Sequence, residues 1–94
     1  MRTHSPAPPV RKRALNLKDH GLDFVDVPRV FEGATYTFED ARFDYGEQRF
    51  ETLGLLAGVP VSIVHTESED EIRLISLRKA TKREANIYFQ HVQD

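Results

Sequence analysis

Basic side chains gather in the segment IRLISLRKATKREA, residues 72–85, although the whole chain has a net charge of −2. Arg78 lies just before a predicted helix, whose free N-terminal amides attract anions, and an arginine fork matches the geometry of phosphate. Lys82 and Arg83 fall in the first turn of that helix and oppose its dipole. The segment therefore predicts either a structural acidic partner or a polyanionic ligand.

Two other stretches contain residues suited to proton transfer. His20 follows a predicted helix, and its ordinary pKa of about 6.5 suits acid–base chemistry at neutral pH. Capping or surface exposure is the alternative role for this histidine. Glu47 and Arg49 are two residues apart in DYGEQRF, residues 44–50, so in a regular strand they share one face. They form either a simple ion pair or a general base beside a phosphate-binding guanidinium.

Length and composition limit the class of protein. The chain has 94 residues and no cysteine, which predicts one small domain without disulfides or thiolate metal sites. It contains no phosphate loop or metal-binding motif, so we expect neither a cofactor nor a metal. No apolar run is long enough to span a membrane and no secretory signal begins the chain, so a cytoplasmic location is expected. We predict a disordered arm over residues 1–10 and a single domain over residues 11–94.

These residues must be positioned by an α+β fold. The sequence predicts a helix over 11–19 ended by Gly21, and a second helix opening at Asp23 that Pro28 bends or shortens. A capping box, Thr81 to Glu84, opens a C-terminal helix. The predicted architecture is two N-terminal helices, a three- to four-stranded antiparallel sheet and the C-terminal helix. Strands are predicted over residues 48–56, 59–66 and 72–79, and a short strand or an extended connection over residues 34–39.

The last predicted strand, residues 72–79, is apolar on both faces, which indicates a central position in the sheet. Regular alternation would place Arg73 on the face of Ile75 and Leu77, and Arg78 on the opposite face. An arginine at each end of a central strand needs an acidic partner if it is buried.

Three blocks of the sequence together resemble a known family. In order and spacing, KDHGLDF (18–24), RFDYGEQRFETLG (42–54) and IRLISLRKATKRE (72–84) are similar to BrnT, the small toxins of bacterial type II toxin–antitoxin pairs. The resemblance implies a RelE-like fold, metal-independent cleavage of RNA and arrest of translation. It also implies neutralisation by a BrnA-type antitoxin, and a toxin homodimer is compatible with that complex.

The resemblance also assigns roles to residues. Residue by residue it implies Lys18 and His20 from the first block, Glu47 and Arg49 from the second, and Arg73 and Arg78 from the third. We expect His20, Glu47 and Arg78 to be catalytic and Lys18, Arg49 and Arg73 to bind substrate. Either His20 or Glu47 takes the proton of a ribose 2′-hydroxyl, whose attack leaves a 2′,3′-cyclic phosphate and a 5′-hydroxyl.

Two other functions remain open at the level of sequence. The family begins with a strand of the type hydrophobic-x-Trp-Asp, whereas this chain has THSPAPPVRKRA and no tryptophan. This departure favours a catalytically inactive module that binds its antitoxin or RNA. The third possibility is a structural subunit in which the arginines pair with ESEDE, residues 67–71, or with the C-terminal helix.

Overall fold

The computed structural model describes residues 10–40, 48–67 and 71–92. Its fold is α+β, with a four-stranded antiparallel sheet followed by a C-terminal helix, as predicted. The predicted N-terminal arm lies outside the described residues except for Val10, which begins the first helix. In chain order the elements are α1 (Val10–His20), a 3-10 turn (Phe24–Asp26), α2 (Val27–Phe31), β1 (Tyr36–Glu39), β2 (Phe50–Leu56), β3 (Val59–Glu67), β4 (Ile72–Lys79) and α3 (Lys82–Val92).

Local sequence signals set the ends of the N-terminal helices. Gly21 has a φ of +72° and donates its N–H to the carbonyl of Leu17 at 2.8 Å, which ends α1 as predicted. The Asp23 carboxylate accepts the amide of Val25 at 3.2 Å and caps the 3-10 turn. Pro28 stands at the start of α2, where its missing N–H costs no helical hydrogen bond. The predicted second helix is therefore divided into a 3-10 turn and a short α-helix.

The strands form a meander in the order β1-β2-β3-β4. Ala57 and Gly58 connect β2 to β3 with φ values of 52° and 82°, the left-handed values that a tight two-residue hairpin requires. The hairpin sets the register of the central pair, in which Leu53 lies opposite Ser62 and Thr52 opposite Ile63.

The predicted central position of the last strand is wrong. Within the described part of the chain, β4 pairs only with β3 and lies at an edge of the sheet. Helix α1 covers that edge, since the Asn16 amide donates to the Leu77 carbonyl at 2.8 Å and its Oδ1 accepts the Leu77 N–H at 3.0 Å. Asn16 thus supplies the hydrogen bonds that a neighbouring strand would otherwise make. The apolar pattern of a strand does not show whether a helix or another strand lies along its edge.

One face of the sheet, here called the core face, packs against the N-terminal helices. Its residues Val61, Ile63 and Leu77 are buried against Phe24, Val27 and Val30. A Cβ atom at Gly54 would lie 2.5 Å from Cγ1 of Val30, so glycine lets α2 approach β2 closely. The core face is therefore a closed hydrophobic layer.

A β-bulge determines what the opposite face carries. Val64 pairs with Ser76 but His65 pairs with Leu74, so Ile75 is an extra residue in β4. The extra residue reverses the alternation of side chains, and Arg73 lies on the same face as Arg78. The prediction that these two arginines face opposite sides is wrong because alternation assumes a strand without a bulge.

We call this second face the arginine face, after Arg73 and Arg78; it also carries Glu51 and Ser62. Helix α3 crosses one end of it. The Tyr88 hydroxyl donates to the Ala34 carbonyl at 2.9 Å, and the predicted capping box joins Thr81 and Glu84 reciprocally at 2.9 and 3.1 Å. Within the described segments no helix is long and apolar enough to cross a bilayer.

Candidate functional site

Arg78 is fixed by the first turn of α3. Its Nη1 and Nη2 atoms donate to Oε1 and Oε2 of Glu84 at 2.8 and 2.9 Å, a bidentate geometry. The Arg78 side chain keeps 28% of its surface exposed and that of Glu84 17%. The capping glutamate therefore has two roles, since it closes the helix terminus and orients the guanidinium.

A buried carboxyl group lies beside this pair. Oε2 of Glu51 accepts a hydrogen bond from the Ser62 hydroxyl at 2.6 Å and lies 3.8 Å from Nη2 of Arg78. Burial, together with a hydrogen bond to Glu84, raises the pKa of Glu51 to about 7. The hydrogen bonds from Arg78 lower the pKa of Glu84 to about 2.

The three groups therefore differ in their charge at neutral pH. Glu84 is ionised, Arg78 is cationic, and Glu51 holds a proton for part of the time. A carboxyl group with a near-neutral pKa beside a guanidinium is the type of pair that phosphate chemistry can use. The same arrangement also stabilises the junction between the sheet and α3.

The other predicted arginines lie on the same face, at the end of the sheet away from this cluster. Arg73 is exposed and pairs across the strands with Thr66. The β2–β3 register pairs Phe50 with His65, and extending it by one residue places the half-buried Arg49 opposite Thr66. The arginine face therefore carries Arg49, Arg73 and Arg78, with about 13 Å between the Cα atoms of the last two along the strand.

Lys18 and His20 occupy a different place. Both are exposed in the last turn of α1. Lys12 Nζ lies 3.5 Å from the Leu74 carbonyl and Asn16 bonds Leu77, so α1 and β4 run in the same direction. His20, one turn beyond Asn16, then lies beside the C-terminal end of β4, outside the arginine face. The structure thus divides the predicted site residues between a sheet face and its neighbouring edge.

Glu47 lies outside the described residues. Its ion pair with Arg49 and its role as a base therefore stay predictions. The backbone carbonyl of Arg49 accepts the Asp40 N–H at 2.8 Å, which extends the β1–β2 pairing toward that segment.

His65 has a structural role, a contact across strands. Its side chain is fully buried on the core face, and Nε2 lies 2.8 Å from Oγ1 of Thr52, which also bonds Thr37. The rings of Phe31 and Phe50 lie 6.0 Å from the imidazole. Burial lowers the pKa of His65, so the neutral form predominates.

The Arg78–Glu84 ion pair agrees with the third alternative from the sequence, in which the arginines pair with the C-terminal helix. Sequence reasoning did not single out Glu84 as that partner, and it missed Glu51 and Ser62. One signal for Glu51 is present in the sequence. It lies two residues before the buried Leu53, so a strand places this acidic side chain on the same buried face. Its partners lie on β3, β4 and α3, so the cluster emerges only when the strands are paired.

Comparison with known protein families gives one match. The family described as ribonuclease toxin, BrnT, of type II toxin–antitoxin systems matches residues 10–84. The match begins at the first residue of α1 and ends at Glu84, so it contains the whole sheet and the Arg78–Glu84 pair. No curated protein matches the chain. Because the match covers most of its length, the chain belongs to the BrnT family of ribonuclease toxins.

Proposed function

We propose that this toxin is a metal-independent endoribonuclease with a RelE-like fold that cleaves RNA in the cytoplasm by attack of a ribose 2′-hydroxyl. Cleavage inhibits translation, and a BrnA-type antitoxin neutralises it. The observation that carries the proposal is the placement of Arg49, Arg73 and Arg78 on one face of the sheet.

The arginines have a defined task in this reaction. The attacking 2′-oxygen brings negative charge onto the non-bridging oxygens of the phosphate, and fixed cationic donors stabilise that charge. The bond from phosphorus to the 5′-oxygen then breaks, and the leaving oxygen takes the electron pair and a proton from water to become the 5′-hydroxyl. Glu84 holds the guanidinium of Arg78 in place before substrate binds, which favours preorganised stabilisation. Arg49 and Arg73, at the other end of the same face, bind phosphates further along the RNA, and Lys18 adds a cation at the edge of β4.

Proton transfer is assigned to the edge of β4. His20 lies near the C-terminal end of β4, the same end that carries Arg78, and its side chain is exposed to substrate. Glu47 is the alternative base. Glu51 is only 5% exposed, so it supports Arg78 and Glu84 and does not contact RNA. The substrate then crosses the end of β4 between Arg78 and His20.

Incubation of the purified chain with bacterial RNA in EDTA tests this proposal. We expect cuts with 5′-hydroxyl ends, and at least a tenfold loss of rate in His20→Ala, because a general base contributes about a hundredfold or more. Lys12→Ala is the matched control, since it removes a cation on the same side of α1, two turns earlier. Equal rates in the wild type and His20→Ala would remove this histidine from the site.

A catalytically inactive module that binds antitoxin or RNA is the second candidate, and one observation favours it. The donors of Arg78 are already engaged by Glu84, as a purely structural arginine requires. This candidate predicts binding of RNA or antitoxin by a folded chain that leaves RNA intact in EDTA and in Mg²⁺. A homodimer within the antitoxin complex is a further prediction, which the mass of the complex would test.

A further inference from the structure

Three aromatic side chains lie in series at the β1 edge of the sheet, opposite β4. The ring of Tyr36 lies 3.9 Å from that of His91 with 12° between their planes, and 5.4 Å from that of Phe38 with 36° between them. Tyr36 and Phe38 belong to β1, and His91 belongs to the last turn of α3. We call His91, Tyr36 and Phe38 the aromatic ladder.

The register places this ladder on the arginine face. Tyr36 pairs with Leu53 and Phe38 with Glu51, and Glu51 contacts Arg78 on that face. Phe38 is a diagonal neighbour of Arg49 across the β1–β2 pair, a separation of about 7–8 Å between Cα atoms. A stacking surface and a guanidinium that can bind phosphate thus lie within the length of a single nucleotide.

The exposure of the ladder distinguishes it from the aromatic core. Phe24 and Tyr88 are at most 3% exposed, whereas Tyr36 and Phe38 are only half-buried and His91 is exposed. The ladder also attaches α3 to β1, but the Tyr88–Ala34 hydrogen bond and the Arg78–Glu84 pair already fix that helix at two points. Partly exposed rings already in stacking geometry are suited to receive a further planar group.

Unpaired RNA bases are planar groups of this kind, and proteins bind them on aromatic rings of sheet faces with arginine at the backbone. We propose that the aromatic ladder binds one unpaired base of the RNA substrate, and that Arg49 binds the phosphate of that nucleotide. This inference rests on the proposed function, because it takes the substrate to be RNA. It adds a base-binding subsite about three strands away from Arg73 and Arg78.

A short oligoribonucleotide that contains 2-aminopurine tests the inference directly. With 2′-O-methyl sugars throughout it cannot be cleaved, and stacking on a ring quenches its fluorescence. We expect quenching by the wild type, and dissociation constants at least fivefold higher for Phe38→Leu and Tyr36→Leu, from the usual loss on removal of a stacking ring. Tyr36→Phe keeps the ring and is expected to bind as the wild type does.

Two controls keep the result decisive. Phe89→Leu removes another exposed ring of α3, outside the ladder, and is expected to leave binding unchanged. If thermal unfolding shows that a β1 variant does not fold, the exposed His91→Leu gives the test. Absence of quenching by the wild type, or equal affinity in the folded ladder variants, would overturn the subsite.

Cleavage is scored on separate samples of bacterial RNA in EDTA. Cleavage without quenching would reject the ladder and leave the ribonuclease proposal standing. Quenching that depends on the ladder, without cleavage, would reject the ribonuclease and support the subsite on an RNA-binding module.

Discussion

Each face of the sheet buries a titratable strand side chain, and burial brings the pKa of one to neutral pH and moves the pKa of the other away from it. On the core face, His65 contacts Thr52 and two aromatic rings, and its Nδ1 lies 3.4 Å from the carboxylate of Glu67; burial nevertheless lowers its pKa. On the arginine face, Glu51 contacts Ser62, a cationic arginine and a second carboxyl group, and its pKa lies near neutrality.

The difference shows how one sheet separates stability from chemistry. Burial lowers the pKa of His65 in spite of the nearby Glu67 carboxylate, so the neutral ring contributes hydrogen bonding and packing. Burial raises the pKa of Glu51 to about 7, so this carboxyl group can change its protonation state near neutral pH. The arginine face is therefore where we expect reactivity, and the core face is where we expect substitutions to affect folding.

The largest effect is expected for Arg78→Ala. Removal of the guanidinium leaves Glu84 and Glu51 close together without a cation, which costs about 2–4 kcal/mol of unfolding free energy. RNA cleavage falls at least tenfold. Urea denaturation and cleavage assays measure the two effects.

A double variant separates folding from chemistry at this site. Arg78→Met with Glu84→Gln removes both charges of the pair, so most of the lost stability returns while cleavage stays low. A double variant that cleaves RNA at the wild-type rate would show that Arg78 is structural.

The next effect concerns the response of Glu51 to pH. The folded chain keeps its proton to about pH 7, whereas the unfolded chain releases it near pH 4.5, so this group's contribution to stability falls as pH rises between these values. The loss is at most about 3 kcal/mol. Glu51→Gln cannot release a proton, so its unfolding free energy should lack this fall.

His65 acts in the opposite sense, because its lowered pKa favours stability as pH rises toward 6.5. The informative quantity is therefore the difference between the wild type and Glu51→Gln in urea denaturation at pH 5, 6, 7 and 8. A difference that does not change with pH would mean that Glu51 has an ordinary pKa.

The smallest effect is expected on the core face. His65→Leu removes the hydrogen bond to Thr52 but keeps the apolar contacts, so unfolding free energy should fall by about 1–2 kcal/mol. Cleavage by the folded variant should equal that of the wild type. Lost cleavage at a temperature where the variant remains folded would break the proposed division between the two faces.

Features of the fold that depend on residues close to one another in the sequence were predictable. Gly21 and the Thr81–Glu84 capping box each act through backbone groups a few residues away. The bulge at Ile75 and the edge position of β4 were not predictable, because they depend on contacts with β3 and with Asn16 of α1.

The candidate site shows the same limit. The resemblance to BrnT, together with residue chemistry, gave Arg49, Arg73 and Arg78 as candidates. Only strand pairing showed that they share a face. The hydrogen bonds of Asn16 place α1 along the edge of β4, and His20 is therefore separated from these arginines.

The central claim is that the arginine face, and not the core face, acts on RNA. Arg73 and Lys79 offer a matched test, because both are exposed cations of β4 and their register places them on opposite faces. We would measure cleavage of one RNA in EDTA by the wild type, Arg73→Ala and Lys79→Ala. A loss of at least about tenfold in Arg73→Ala alone, the usual minimum for a charged hydrogen bond, is the expected result. Equal rates in both variants would contradict the account.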